Sequence, residues 1–268
     1  MRGEELVDVA VAAARAGGEI LLANWRRLPS GSIAEKQKND FVTSADRESE
    51  TRIVAKIRER FPHDAFLGEE GGRSGEAGAT RTWIIDPLDG TSNFITGFPF
   101  WCVSVAAREG AELVAGVVWD PLRDELYTAA RGAGAFRNGS RVRVTDRKGV
   151  EGAFVATGFP FRYRERIDLY LELFKEIFLL ARAVRRAGSA ALDLAMVAAG
   201  VFDGFFEFHL SPWDIAAGAL LIEEAGGVLT DFDGGQRHWE RGNIVAGTRG
   251  VAEGIRELAA RHLVEDRI

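Results

Sequence analysis

Trp83-Ile84-Ile85-Asp86-Pro87-Leu88-Asp89-Gly90-Thr91-Ser92-Asn93-Phe94 sets three large apolar residues directly before two carboxylates three positions apart. Such a run belongs in a buried strand, so the strand delivers Asp86 and Asp89 at its end. Pro87 fixes φ between them and stiffens the turn, and Gly90 permits close backbone approach. From Thr91 onward, free N–H groups are able to receive an anion such as phosphate. Asp-Pro-x-Asp-Gly is also a good turn in its own right, and the fragment alone does not choose between the two readings.

Working outward, Leu6, Val9, Ala13, Ala16 and Ile20 recur at steps of three and four, which predicts an amphipathic helix over 4–27, stopped by Pro29-Ser30-Gly31. A second helix is expected over 47–61, with Ile53, Ile57 and Phe61 on one face. Residues 36–46 between them read as too polar and irregular for core, although Thr43-x-x-Asp46 matches a capping box. Residues 71–80 are glycine-rich and read as an exposed, mobile loop, a candidate lid. Apolar, β-rich runs at 100–107, 112–119 and 125–129, with an Asn138-Gly139 hairpin before Arg141, predict an antiparallel sheet.

Past residue 148 the rhythm alternates. Strands at 153–157, 183–185 and 202–208 interleave with helices at 164–181 and 190–199. A helix over 215–225 capped by Gly226-Gly227, strands near Val228 and Ile244 and a last helix from Val251 complete an α/β pattern. The chain therefore divides into an N-terminal α+β half, 1–148, and a C-terminal α/β half, 149–268, with no linker between them, so a site can form where they meet.

Two further acidic points resemble the first. Glu69-Glu70 ends a strand-like run, and Asp214 follows Pro212-Trp213 at the head of a helix that is apolar almost all round. Alone, the former also reads as a solvated loop start and the latter as an N-cap. If Glu69, Asp86, Asp89 and Asp214 converge, two like charges ~4 Å apart at an effective dielectric of ~20 repel by about 4 kcal/mol, and a shared pocket needs cations or protons. An all-oxygen donor set suits Mg²⁺ or Mn²⁺, whereas the four histidines are too scattered for zinc.

Composition excludes other classes. The 268 residues carry 34 Lys and Arg against 40 Asp and Glu, a net charge of −6, which argues against direct nucleic-acid binding. One cysteine, Cys102, in an apolar run, excludes a disulfide framework and reads as inert core. No apolar run reaches the ~18–20 residues of a membrane helix, and the acidic N-terminus lacks a secretory pattern, so a cytoplasmic setting is expected. Ser189 lacks a nucleophile elbow, Gly132-Ala133-Gly134 lacks the third glycine of a dinucleotide fingerprint, and there is no Walker A lysine.

KQKNDFVTSADRESE (36–50), LGEE (67–70), WIIDPLDGTSNF (83–94), GFPFWCVSVA (97–106), RAGSAALDLAMVAAG (186–200) and PWDIAAGALLIEEAGG (212–227) together resemble the Mg²⁺-dependent, lithium-sensitive inositol monophosphatases of the sugar-phosphatase superfamily, over nearly the whole chain. The resemblance implies a layered α-β-α-β-α sandwich and a homodimer. It implies two or three Mg²⁺ ions, with Mn²⁺ as a substitute: Glu69, Asp86 and the Leu88 carbonyl at one, Asp86, Asp89 and Asp214 at a second, and Glu69 touching a third. Thr91, backed by Asp46, would with Glu69 orient and deprotonate the attacking water. Gly90 and Thr91 would hold phosphate oxygens, Gly188, Ser189, Ala190 and Glu207 would line the sugar wall, and Lys36 would support the metal loop. Asp193 stands where many relatives carry Asn.

A small phosphate monoester is thus the implied substrate, with inositol monophosphate favoured. Fructose bisphosphate and histidinol phosphate are the alternatives, since relatives with the same core cleave them. Some members also bind RNA polymerase or other partners, so a chiefly binding role with residual catalysis stays open.

Overall fold

The computed structural model describes residues 2–28, 31, 33–37, 40–160 and 164–262. Helix α1 (Arg2–Asn24) turns Leu6, Ala10, Ala13, Ala14 and Leu21 inward, and a hairpin of β1 (Ile33–Gln37) and β2 (Asp40–Thr43) leads into α2 (Ser44–Arg58). That helix starts ahead of the expected Arg47 because the capping box forms: Thr43 donates its N–H to Asp46 Oδ2 at 3.0 Å, and Ala45 donates to Thr43 Oγ1 at 3.2 Å. The expectation that 36–46 stays out of the core is corrected at its end, where Val42, Thr43, Ala45 and Asp46 are buried. The polar groups of Thr43 and Asp46 satisfy each other, which offsets the cost of burying them.

An eight-stranded sheet follows, built from β3 (Ala65–Gly68), β4 (Gly72–Gly75), β5 (Arg81–Asp89), β6 (Cys102–Glu109), β7 (Glu112–Asp120), β8 (Glu125–Ala130), β9 (Gly134–Arg137) and β10 (Ser140–Val142), with the short helix α3 (Thr91–Thr96) after β5. Its order is β10-β9-β8-β7-β6-β5-β3-β4. The strands expected to pair antiparallel, β5 to β10, do so, whereas β3, which that expectation did not include, runs parallel to β5, because β4 turns the chain back along the outer edge before β5 begins. The same turn corrects the reading of 71–80 as a loop throughout. Gly72–Gly75 forms an edge strand, with β3 supplying the ladder that a glycine-rich sequence does not signal by itself.

The second sheet comprises β11 (Phe154–Thr157), β12 (Ala183–Arg185), β13 (Gly204–Glu207), β14 (Val228–Thr230) and β15 (Ile244–Gly247) in the order β12-β11-β13-β15-β14. Helices α4 (Ile167–Leu180) and α5 (Ala190–Ala198) make the crossovers that place β12, β11 and β13 parallel. Helix α6 (Pro212–Glu224), the four-residue α7 (His238–Arg241) and α8 (Arg249–Ala259) are the remaining helices among the described residues.

Alternation along β5 shows the layering. Trp83 and Ile85 face the cluster formed with α1 and α2, whereas Ile84 faces the cluster shared with α5, α6 and the second sheet. On the far side, Val155, Phe206 and Val245 pack under Tyr170, Leu173 and Ile177 of α4 and Val251 and Ile255 of α8. The result is the expected α-β-α-β-α sandwich. Helix α6 lies in its middle layer with every residue from Asp214 to Ile222 buried, which is why its sequence carries no polar face. Among the described residues, no helix is long and apolar enough to cross a membrane.

Candidate metal and substrate site

In a regular strand Asp86 and Asp89, three apart, would project to opposite faces. They do not, because β5 bulges between them: Asp86 pairs with Ser104 and Asp89 with Cys102, so the β5 side carries one extra residue. Pro87 has no N–H to give the ladder, and Leu88 turns its own N–H to Asp86 Oδ1 at 3.0 Å. The bulge brings both carboxylates and Leu88 to one cleft. Gly90 follows with φ of 99°, and a Cβ there would sit 3.0 Å from the Phe100 carbonyl oxygen, so glycine is required.

The third carboxylate arrives on α6. Asp214 accepts the Ser211 N–H at 2.7 Å and so stabilises the start of its helix from the third position, as part of a capping box and not as the N-cap. It also reaches the bulge: one oxygen each from Asp86, Asp89 and Asp214 lie within 4.8 Å of one another. Glu69, at the end of β3, shares a hydrogen bond with Asp86. Burial, then the charges of Glu69, Asp89 and Asp214, push the Asp86 carboxyl well above the usual range. Burial and Asp214 likewise push Asp89 up to about 7, although Ser189 Oγ and the Ala191 N–H, each donating at 2.7 Å, pull it back. The fold thus holds mutually repelling carboxylates together, and the donor set is all oxygen. It fits a hard divalent cation such as Mg²⁺.

These residues line a cleft of about 230 Å³. Its lining includes Glu69, Asp86, Leu88, Asp89, Gly90, Thr91 and Asp214, and a wall of Gly188, Ser189, Ala190 and Glu207. The Thr91 hydroxyl lies between the Leu88 carbonyl oxygen at 3.1 Å and Asp46 Oδ1 at 3.2 Å, so Asp46 stands behind Thr91 and not in the cleft. Burial, opposed by the Thr43 hydrogen bonds, pushes Asp46 up to about 7. Lys36 contributes backbone to β1, and its side chain lies outside the described residues. Cys102 is fully buried beneath the site, 3.5 Å from Ser189 Oγ, and burial pushes its thiol up, so it is no thiolate nucleophile.

The family model for the inositol monophosphatases matches residues 3–265. The chain belongs to the inositol monophosphatase family. It is 47% identical over 265 residues to Nus factor SuhB of Pseudomonas aeruginosa, covering 97% of both chains. It is 42% identical over 260 residues to the fructose-1,6-bisphosphatase/inositol-1-monophosphatase of Aquifex aeolicus, again covering 97% of each. The crystal structure of extragenic suppressor protein suhB from Bartonella henselae superposes with a TM-score of 0.93 at 37% identity, covering 97% of this chain and 100% of that one.

Within this inositol monophosphatase fold, the cleft also gathers residues that sequence reasoning did not single out. Asn93 donates its amide to the carbonyls of Phe100 at 2.6 Å and Ala187 at 2.9 Å, tying the wall to the end of α3. Its place in the 83–94 run was a signal, but a partner 94 positions away was not legible. Among the described residues Arg186 is the cation of the wall, and Thr157 and Gly158 enter from β11. A Cβ on Gly158 would come within 1.9 Å of Glu207 Oε1, so glycine there makes room for that carboxylate. Asp193, already noted in the sequence, is buried within the cleft lining, and burial, then Glu207 and Asp89, push its carboxyl well above the usual range.

Proposed function

We propose that this chain hydrolyses a phosphate monoester of a polyol, with myo-inositol monophosphate the favoured substrate. The observation that carries the reading is the convergence of Asp86, Asp89 and Asp214, one oxygen each within 4.8 Å of the others, in a cleft that Glu207 also lines. Glu69, Asp86 and the Leu88 carbonyl would hold one Mg²⁺ and Asp86, Asp89 and Asp214 a second, with Glu69 reaching a third and Mn²⁺ serving as substitute. When bound, the ions would offset phosphate charge and lower the pKa of a water so that it can give up a proton and attack.

The chain's own groups do the rest. Thr91 can direct its hydroxyl proton toward Asp46 or the Leu88 carbonyl, which leaves its oxygen free to accept a hydrogen bond from the attacking water. Glu69 receives the water's proton. The N–H groups of Gly90 and Thr91 steady the phosphate oxygens, and Glu207 accepts from polyol hydroxyls alongside Gly188, Ser189 and Ala190. Lys36 would steady the loop before α2.

Phosphate release from a panel of sugar phosphates, with Mg²⁺ and with EDTA, tests this. Activity should vanish in EDTA and in Asp214→Asn, and undiminished turnover in EDTA would overturn the metal reading. Li⁺ should inhibit at millimolar levels. A homodimer is also proposed: Phe178 at 60% and Leu179 at 70% exposure place large apolar surface on α4, and light scattering checks it.

Two observations favour wider readings. Arg186 in the wall offers a cation to a second phosphate, as a fructose-1,6-bisphosphatase would need, and the Aquifex relative carries that name. Relatives named Nus factor point to a transcription partner despite the acidic balance of the chain, and such a role predicts binding to that machinery by an Asp86→Asn protein without turnover.

A further inference from the structure

Glu50 takes no part in the chemistry above, yet its carboxylate is buried with 6% exposure, in the last position of the 36–50 motif. It projects from α2 onto the turn that follows β3. Oε2 accepts the Glu70 N–H at 2.9 Å and Oε1 accepts the Gly71 N–H at 2.6 Å. Both donors lie just past Glu69. The sequence leaves a space shaped for this carboxylate: a Cβ on Gly68 would stand 2.5 Å from Glu50 Cδ and 2.5 Å from Oε2, and one on Gly71 would stand 2.6 Å from Oε1. Gly68 has no left-handed φ to explain it, so what glycine provides there is room.

We propose that Glu50 is a positioning residue for Glu69: its buried carboxylate, seated between Gly68 and Gly71 and clamping the N–H groups of Glu70 and Gly71, fixes the backbone that aims Glu69 at Asp86. The inference rests on the reading of Glu69 and Asp86 as metal-holding residues. A charged acceptor suits two converging N–H donors, because each bond is charge-assisted and the pair fixes direction as well as distance. With the clamp in place, Glu69 is held before any ion arrives, and the cation meets a formed site instead of ordering a loose turn. The conserved shape of an amide makes Glu50→Gln the sharpest probe. The glutamine oxygen satisfies one N–H, but its NH₂ group confronts the other.

Calorimetric titration with Mg²⁺ alone, without substrate, tests the clamp in five proteins: the unaltered chain, Glu50→Gln, Gly71→Ala, Ile53→Val and Asp86→Asn. Glu50→Gln should weaken Mg²⁺ binding by ~10-fold, within the range of about 10–100-fold for partners that orient a ligand. Gly71→Ala, which keeps Glu50 but crowds its oxygen, should do the same. Ile53→Val trims the same helix at a buried position away from the clamp, so it lowers Tm and leaves the affinity unchanged. Unchanged affinity in Glu50→Gln and Gly71→Ala, with Asp86→Asn weakened, would overturn the clamp alone. An equal loss in Ile53→Val would overturn it in favour of general destabilisation. Full Mg²⁺ affinity in Asp86→Asn would remove the metal reading and the clamp with it.

Discussion

Thr91 donates its hydroxyl to Asp46 across 3.2 Å, while the other oxygen of the same carboxylate receives the Thr43 N–H at 3.0 Å that caps α2. One buried side chain therefore fixes a helix start and orients the hydroxyl facing the cleft. Thr91→Val keeps the shape and removes the oxygen, so kcat should fall by ~10²–10³-fold with little change in KM, as expected for loss of proton handling. Thr91→Ser should retain most of the activity. Steady-state kinetics separate the outcomes: a raised KM at constant kcat would make Thr91 a substrate-holding group only.

The crowded carboxylates give the protein a pH signature. Asp46 and Asp89 sit at about 7 in the fold and Asp86 well above its ordinary value, against about 4 in the unfolded chain. A carboxyl raised in this way favours the fold fully below its unfolded pKa, and that contribution is lost as pH rises through the folded value. A divalent cation replaces the missing protons, so the rise in Tm on adding Mg²⁺ should be small near pH ~5 and grow through pH ~7. The increment is the diagnostic quantity, because His209 and His238, lowered by burial, push the raw Tm the other way over the acidic part of the range. Thermal melts with and without Mg²⁺ check this, and an increment independent of pH would contradict the proton competition.

Glu207 gives a test of the proposed substrate choice. It ends β13 and lines the same cleft as the carboxylates, in space that Gly158 leaves open. Glu207→Gln keeps the size and removes the charge that strengthens bonds from hydroxyls. Losing a charged acceptor costs ~1–2 kcal/mol, or roughly 10-fold in kcat/KM, where a hydroxyl is read. The loss should be larger for inositol monophosphate than for fructose bisphosphate, whose second phosphate has Arg186 to engage. Equal losses on both would place Glu207 outside hydroxyl recognition.

The sequence made the chemistry more legible than the geometry behind it. Carboxylate chemistry at the end of a hydrophobic strand was readable from 83–94 because residue type and periodicity are local. The all-apolar α6 announced its own burial, and strand–helix alternation past residue 148 gave the second sheet. What escaped depended on distant partners. The parallel seam between β3 and β5 required knowing that β4 turns back, and glycines conceal that strand. The burial of Asp46 and Glu50 was not legible in the local pattern, because the groups that satisfy them, Thr91 and the N–H groups of Glu70 and Gly71, lie elsewhere in the chain; the resemblance alone set Asp46 behind Thr91. The capping readings of Asp46 and Asp214 did not compete with their places at the site: Asp46 takes the Thr43 N–H on Oδ2 and the Thr91 hydroxyl on Oδ1, and Asp214 accepts the Ser211 N–H while standing with Asp86 and Asp89.

Gly17 tests the outermost layer. In a helix interior, replacing glycine by alanine ordinarily stabilises by ~1 kcal/mol through backbone entropy. Here a Cβ would stand 2.6 Å from Ile53 Cγ1 and 2.7 Å from Ser49 Oγ, so α1 and α2 must separate or Ile53 must leave its packed position. Overpacking of this kind costs about 1–3 kcal/mol, which outweighs the entropic gain. Gly17→Ala should therefore lower Tm by several degrees at unchanged Mg²⁺ affinity. Shortening the opposing side chain should make room: Gly17→Ala combined with Ile53→Ala should be less destabilised than the sum of the two single changes, because the new methyl group enters the cavity that Ile53→Ala creates. Strict additivity in that cycle would show that the two helices relax apart instead of interlocking at this contact.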